Sequence, residues 1–256
     1  MGRKARFQLR IFSDPEQLAR GAAQEFVRRT TAGQAAERPF AVVLSGGSTP
    51  KRMFELLAGE PYRDQVLWER IHFFWGDERS VPPDHPDSNF AAANQALLSR
   101  LELSADNLHR IQAELDDPGL AAARYEDELR RFFGLAEEEM PRFDLVFLGM
   151  GADGHTASLF PGTQALDEER RLAVATWVAK LGAHRVSLTC PVFNNAACIL
   201  FLVSGAEKAE TLRQVLESGR EPLRYPAQLI RPQNGELLWY VDEAAAQRLQ
   251  PSANKD

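Results

Sequence analysis

Cysteine is nearly absent from this sequence. The two thiols of the 256-residue chain, Cys190 and Cys198, sit in apolar surroundings, are too few for a disulfide scaffold and lack the spacing of metal ligands. They read as small buried hydrophobes. The longest apolar run, residues 196–203, is far short of the roughly 20 residues that span a bilayer. The N-terminus, Met1-Gly2-Arg3-Lys4-Ala5-Arg6, has no apolar region behind it, and Arg6 stands where a myristoylation signal needs Ser or Thr. A cytoplasmic protein without a membrane partner is therefore expected. A basic excess is also missing. With a net charge of -6 the chain cannot neutralise a polyanion, so no nucleic-acid partner is expected, and any anionic ligand must be caught by a local cluster. Lysine is scarce too, five residues against 25 arginines, so a lysine inside an ordered segment, such as Lys208, stands out.

What the chain does have is apolar sequence in regular doses. Hydrophobic residues make up 44% of it, enough for one large domain over residues 1–256, with a loose tail from about residue 250. Short runs rich in β-branched and aromatic residues, at 7–12, 40–44, 71–75, 143–148, 172–178, 186–189 and 198–203, read as strands. Helix-length segments opened by turn or cap signals lie between them, at 15–29, 50–57, 89–101, 120–133 and 206–216. That alternation predicts an α/β fold, a mainly parallel, doubly wound sheet with helices on both faces. Ala41-Val42-Val43-Leu44 and Leu145-Val146-Phe147-Leu148 are apolar throughout, as strands in the middle of such a sheet should be. Ligands of these sheets bind beyond the carboxyl ends of central strands, so the residues that follow these runs are where chemistry is to be sought.

After the strand at 40–44 comes Ser45-Gly46-Gly47-Ser48-Thr49-Pro50. Glycines let backbone amides approach a ligand, hydroxyls add donors, and Pro50 suits a first helical turn, where the macrodipole favours an anion. A phosphate cradle and an ordinary strand-to-helix turn with a Thr cap fit this pattern about equally. Gly76-Asp77-Glu78-Arg79 follows the strand at 71–75 and leads into a proline-rich loop containing His85, which reads as solvated or structural. Arg79 offers a bidentate fork for phosphate, with Asp77 orienting it or reaching a sugar hydroxyl; a surface ion pair is the plainer alternative.

The strand at 143–148 runs into Gly149-Met150-Gly151-Ala152-Asp153-Gly154-His155-Thr156-Ala157-Ser158-Leu159-Phe160-Pro161. Its glycines match the dinucleotide fingerprint, but the strand at 172–178 carries no carboxylate to hold a ribose, so the match is read as a decoy. His155 is the expected general base, kept neutral by the start of a helix, with Asp153 orienting the ring. Ser158 and the cysteines lie in no nucleophile elbow and receive no covalent role. Near the end of the chain, Ser204-Gly205-Ala206-Glu207-Lys208 repeats the form of strand, glycine turn and helix start. Lys208 there opposes the helix dipole, and an anionic ligand would give it a reason to be present. Arg185 is assigned to the same site, with a surface role as its alternative.

These stretches, Leu44-Ser45-Gly46-Gly47-Ser48-Thr49-Pro50, Gly76-Asp77-Glu78-Arg79 with Asp87-Ser88-Asn89, residues 149–161, and Val203-Ser204-Gly205-Ala206 with Lys208, resemble those of 6-phosphogluconolactonases, in family order and over most of the chain. The resemblance implies a modified doubly wound fold shared with glucosamine-6-phosphate deaminases, no metal or organic cofactor, and hydrolysis of a phosphorylated sugar lactone in the oxidative pentose phosphate route. His155 falls on the family's catalytic histidine, Arg79 and Lys208 on phosphate-binding positions, and Asp77 and Asp153 on acidic site positions. The segment 179–184 departs from the family pattern, which tends to carry prolines before the arginine, here Arg185. Where deaminases read Asn-Glu-Pro, this chain reads Leu159-Phe160-Pro161, and Phe160 cannot transfer a proton. A sugar phosphate is thus the expected partner, bound by a monomer or small homo-oligomer.

Overall fold

Successive residues of a strand point to opposite faces, so a strand buried at every position must be covered on both sides. The computed structural model describes residues 7–250 apart from 34, 35 and 37, and within it the strand at 40–44 is buried throughout. In chain order the elements are β1 (Gln8–Phe12), α1 (Pro15–Gly33), β2 (Phe40–Leu44), α2 (Ser48–Leu57), β3 (Ile71–Trp75), β4 (Asp77–Arg79), α3 (Asn89–Ala96), β5 (Leu108–His109) and α4 (Pro118–Phe133). They continue with β6 (Leu145–Gly149), β7 (Ala173–Val178), β8 (Ala183–Leu188), α5 (Cys190–Asn194), β9 (Cys198–Val203), α6 (Ala209–Glu217), β10 (Glu236–Asp242) and α7 (Glu243–Ala246). The expected tail beyond Gln250 lies outside the described residues.

Seven strands form one sheet in the order β1-β10-β9-β6-β2-β3-β5, every neighbouring pair parallel. Two consecutive residues of β3 show how it is covered. Phe73 packs on Trp68, which stacks in turn on Phe26 of α1, and Phe26 also stacks on Phe147 of β6. Phe74 points the other way, edge-on to Phe132 of α4 at 5.1 Å. Helices therefore lie on both faces, as the sequence predicts. Each of the fully buried phenylalanines among these, Phe26, Phe73, Phe74 and Phe147, removes enough apolar surface from water to stabilise the fold by about 1.5–3 kcal/mol.

Helix ends follow local chemistry. Asp117 caps α4 through the amide of Gly119 at 2.8 Å, Pro118 fills the first turn, and Gly134, at φ 64°, ends the helix in the left-handed region. The predicted 89–101 helix stops at Ala96 and gives way to a 3-10 turn, Leu98–Arg100.

The main departure is a second, antiparallel sheet, β4-β8-β7. Gly76 is the corner between the two: its amide donates to the carbonyl of Leu44 in the parallel sheet, and its carbonyl accepts from Leu188 of β8. The predicted strands at 172–178 and 186–189 belong to this small sheet, where Arg79 pairs with Arg185. β10, absent from the predicted strands, lies between β1 and β9 in the parallel sheet. Among the described residues no helix is long and apolar enough to cross a membrane.

Candidate active site

The neighbours β9, β6, β2 and β3 all point their carboxyl ends the same way, so the loops that follow them meet at one edge. From β2 the chain moves on to β3, and from β6 it crosses to β9 on the opposite side. The gap between β2 and β6 is thus a switch point of the sheet, where loops part and leave a crevice. A cavity of about 220 Å³ lies there, and its lining includes Ser45, Thr49, Arg79, Gly151, His155 and Lys208.

One wall is the turn at 45–49. The first residue of α2 is Ser48, earlier than the predicted start at Pro50, and Gly47 precedes it at φ 111°, a conformation open to glycine. No side chain caps this helix, so the capped-turn alternative does not hold. The uncapped amides at the start of α2 open on the cavity as donors for an anion. Gly46 admits no side chain, since a Cβ there would lie 1.9 Å from Oδ1 of Asn89. Asn89 donates through Nδ2 to the carbonyl and carboxylate of Asp77, and so ties the cradle to β4.

Asp77 lines the cavity, but of the two roles open to it, orienting Arg79 is not the one it takes. It makes no ion pair with Arg79; its Oδ2 accepts from the buried Ser158 hydroxyl at 2.6 Å, clamping β4 to the loop after β6. Arg79 is held by the Asp87 carbonyl at 2.5 Å, and Arg185 by the carbonyl of His184. The two guanidiniums face each other across the β4–β8 ladder, and among the described residues neither has an acidic partner, nor has Lys208. Like charges opposite one another are destabilising unless an anion joins them. Burial, and after it the charge of Arg79, push the Arg185 guanidinium down. Lys208 ends a 3-10 turn, Ala206–Lys208, ahead of α6, and that turn is anchored by buried Asp242, which accepts from the Ser204 hydroxyl and the Gly205 amide.

His155 does not start a helix. The segment after Gly154, at φ 80°, is turn and a short bridge between Thr156 and Leu159, so the glycine fingerprint opens no helix either. The imidazole is neutral for another reason: burial pushes it down to about 4, with the Asp77 charge opposing and those of Lys208 and Arg79 adding to the push. The loop is rigidly supported, Thr156 donating to the Gly149 carbonyl and Thr211 to that of Ala152. Nδ1 of His155 meets Asp153 Oδ1 at 2.5 Å; a carboxylate can only accept, so Nδ1 carries the proton and Nε2 has its lone pair free. Gly151 leaves the room this ring needs, because a Cβ there would fall 2.1 Å from Cε1 of His155. Phe160 stacks on the imidazole at 4.1 Å and 25°.

A second lobe of about 560 Å³ adjoins the first, sharing Asp77, Arg79, His155 and Ala157 with it and adding Arg185 and Lys180. The structure thus brings together residues 45–49, Asp77, Arg79, Asp153, His155, Arg185 and Lys208. His85 lies outside both lobes, 43% exposed. Cys190 and Cys198 are buried, and burial pushes their thiols up to about 11 and about 12. Asp242 and Lys180 were not singled out by their sequence positions, only the scarcity of lysine pointing toward Lys180, and Asn89 stood in a family-like stretch without a role assigned to it.

The chain matches, over residues 13–239, the family described as glucosamine-6-phosphate isomerases/6-phosphogluconolactonase. It is 46% identical over 210 residues to a 6-phosphogluconolactonase of Nostoc sp., covering 82% of this chain and 85% of that one. A 6-phosphogluconolactonase of Haemophilus influenzae is 40% identical over 227 residues, 89% and 93% of the two chains. The solved structure of 6-phosphogluconolactonase from Trypanosoma cruzi superposes with a TM-score of 0.86 at 28% identity, covering 97% of this chain and 99% of that one.

Proposed function

Since the chain belongs to the glucosamine-6-phosphate isomerase/6-phosphogluconolactonase family, we propose that it hydrolyses 6-phospho-D-glucono-1,5-lactone to 6-phospho-D-gluconate, the lactone step of the oxidative pentose phosphate pathway, with His155 as general base. One observation carries the reading: a neutral imidazole whose Nε2 has no protein partner among the described residues lies in a cleft flanked by cations without acidic partners.

In this mechanism the 6-phosphate sits on the amides and hydroxyls at 45–49, between Arg79 and Lys208, which brings C1 of the lactone near His155. Nε2 takes a proton from water as the water oxygen attacks the C1 carbonyl. Asp153 holds the Nδ1 proton and steadies the imidazolium that forms. As the tetrahedral intermediate collapses, the C1 to ring-oxygen bond breaks and the imidazolium returns its proton to that oxygen. The new carboxylic acid then ionises, and Arg185, facing Arg79, adds positive charge where the carboxylate appears. No cofactor is needed, and the reaction is read as cytoplasmic, carried by one catalytic domain. Phe160, on the face of His155, stands where deaminases carry a Glu and cannot transfer a proton.

The test is lactone hydrolysis measured above the spontaneous rate for the wild type and His155→Ala, together with ammonia release from glucosamine 6-phosphate. Lactonase activity that disappears with His155, and no ammonia, is expected; undiminished hydrolysis in the variant overturns the assignment.

A further inference from the structure

We propose that Lys180 is a positioning residue for His155: by sharing the Asp153 carboxylate with the imidazole, it limits how far that carboxylate can favour the charged ring. The inference rests on the reading of His155 as general base, and its test separates the two.

Lys180 stands in the turn Ala179–Leu181 between β7 and β8, far in sequence from the loop it meets. Its ammonium pairs with Oδ2 of Asp153, whose Oδ1 accepts from both Nδ1 and the backbone amide of His155. The same Nζ lies 4.7 Å from the centroid of the Phe160 ring, which stacks on the imidazole. Lys180 thus touches both supports of the catalytic ring, the hydrogen-bonded edge through Asp153 and the stacked face through Phe160. Lys180 and Leu181 also line the second lobe.

A lone carboxylate against Nδ1 would orient the imidazole but also hold it protonated, which removes a base. An ammonium on the other carboxylate oxygen cancels part of that pull while leaving the orienting hydrogen bond in place. The other charges facing His155 are Asp77 and Arg79 from β4 and Lys208 from the turn after β9, with Arg185 of β8 in the shared second lobe. Asp77 already favours the imidazolium, so the Asp153 charge is the one left to be restrained. Among the described residues Asp153 is the one acidic partner of Lys180, with Asp77, Asp87, Arg79 and Arg185 lining the same lobe. Its side chain is half exposed, so its removal opens no cavity in the core.

The experiment follows the Cε1 proton of His155 by NMR in the wild type, Lys180→Gln and Lys180→Arg, the signal being identified by its loss in His155→Gln. All are titrated down to the pH at which the wild type starts to unfold. We expect Lys180→Gln to raise the His155 midpoint by about 0.5–1 pH unit and Lys180→Arg to bring it back most of the way, with the melting temperature unmoved. A midpoint that is the same in Lys180→Gln as in the wild type overturns the proposal. The acid limb of kcat/KM is measured alongside. If the NMR midpoint rises and the acid limb rises with it, both readings stand. If the midpoint rises and the limb stays, Lys180 positions His155 but His155 is not the base.

Discussion

Among the described residues two histidines, His109 buried and His155 half-buried, have Nδ1 within hydrogen-bond distance of a carboxylate, and they differ in what the other ring nitrogen meets. His155 has Asp153 at 2.5 Å, and His109, at the edge of the parallel sheet, has Glu128 at 2.7 Å. Burial depresses both imidazoles. Nε2 of His109, however, is taken by Nδ1 of His72 at 2.8 Å, and its ring is stacked on Phe74 at 4.3 Å with Phe132 edge-on beside it. Nε2 of His155 faces a cleft with Arg79, Arg185 and Lys208 around it. A histidine–carboxylate pair is therefore not in itself a catalytic device. The second nitrogen must be open, and something must hold a substrate in front of it.

The sharpest way to break this comparison is to remove each ring. His155→Gln should lower kcat/KM by about 10²–10⁴-fold, while His109→Gln should leave it within about twofold. Equal losses would mean that the open nitrogen is not what matters. The cations around His155 come next. Arg79→Ala and Lys208→Ala should each raise KM by about 10–100-fold with a smaller change in kcat, as expected for the loss of a charged hydrogen bond to phosphate. Unchanged kinetics in both would remove the phosphate clamp. The carboxylates should separate by property. Asp153→Asn is expected to slow turnover with little change in melting temperature, and Glu128→Gln to cost about 1 kcal/mol of stability with turnover intact, read by denaturant unfolding.

The smallest effect concerns pH. His72, His109 and His155 all have folded-state values below the usual 6.5. The unfolded chain then takes up protons first, so stability is complete above about pH 6.5 and declines as the pH falls toward the folded values. Melting curves across this range should show the decline, and His109→Gln should flatten it. A slope unaltered in that variant would remove His109 from the account.

Much of the site was legible because strand-to-turn junctions are local. The glycines after β2, β6 and β9 and the hydroxyls at 45–49 are recognisable from neighbouring residues alone. The contacts across the site were not. That Asn89 closes on Gly46, that Asp77 clamps Ser158 instead of orienting Arg79, and that Lys180 reaches Asp153 all depend on which strands become neighbours. The expected cause of the neutral His155 failed for a related reason: turn residues after Gly154 suit a helix start as well as an irregular loop, and tertiary packing chose the loop. β10 escaped notice although residues 237–241 are hydrophobic and buried, and its Asp242 anchors the turn that carries Lys208.

By itself, the sequence determined the layered α/β plan and the identity of the ligand-facing turns, since apolar periodicity and glycine or cap chemistry act over a few residues. The tertiary structure alone decided the second, antiparallel sheet, the facing of Arg79 and Arg185, and in which of two histidine–carboxylate pairs the second ring nitrogen is already taken. Those depend on strand order and burial, which arise from packing between residues far apart in the chain.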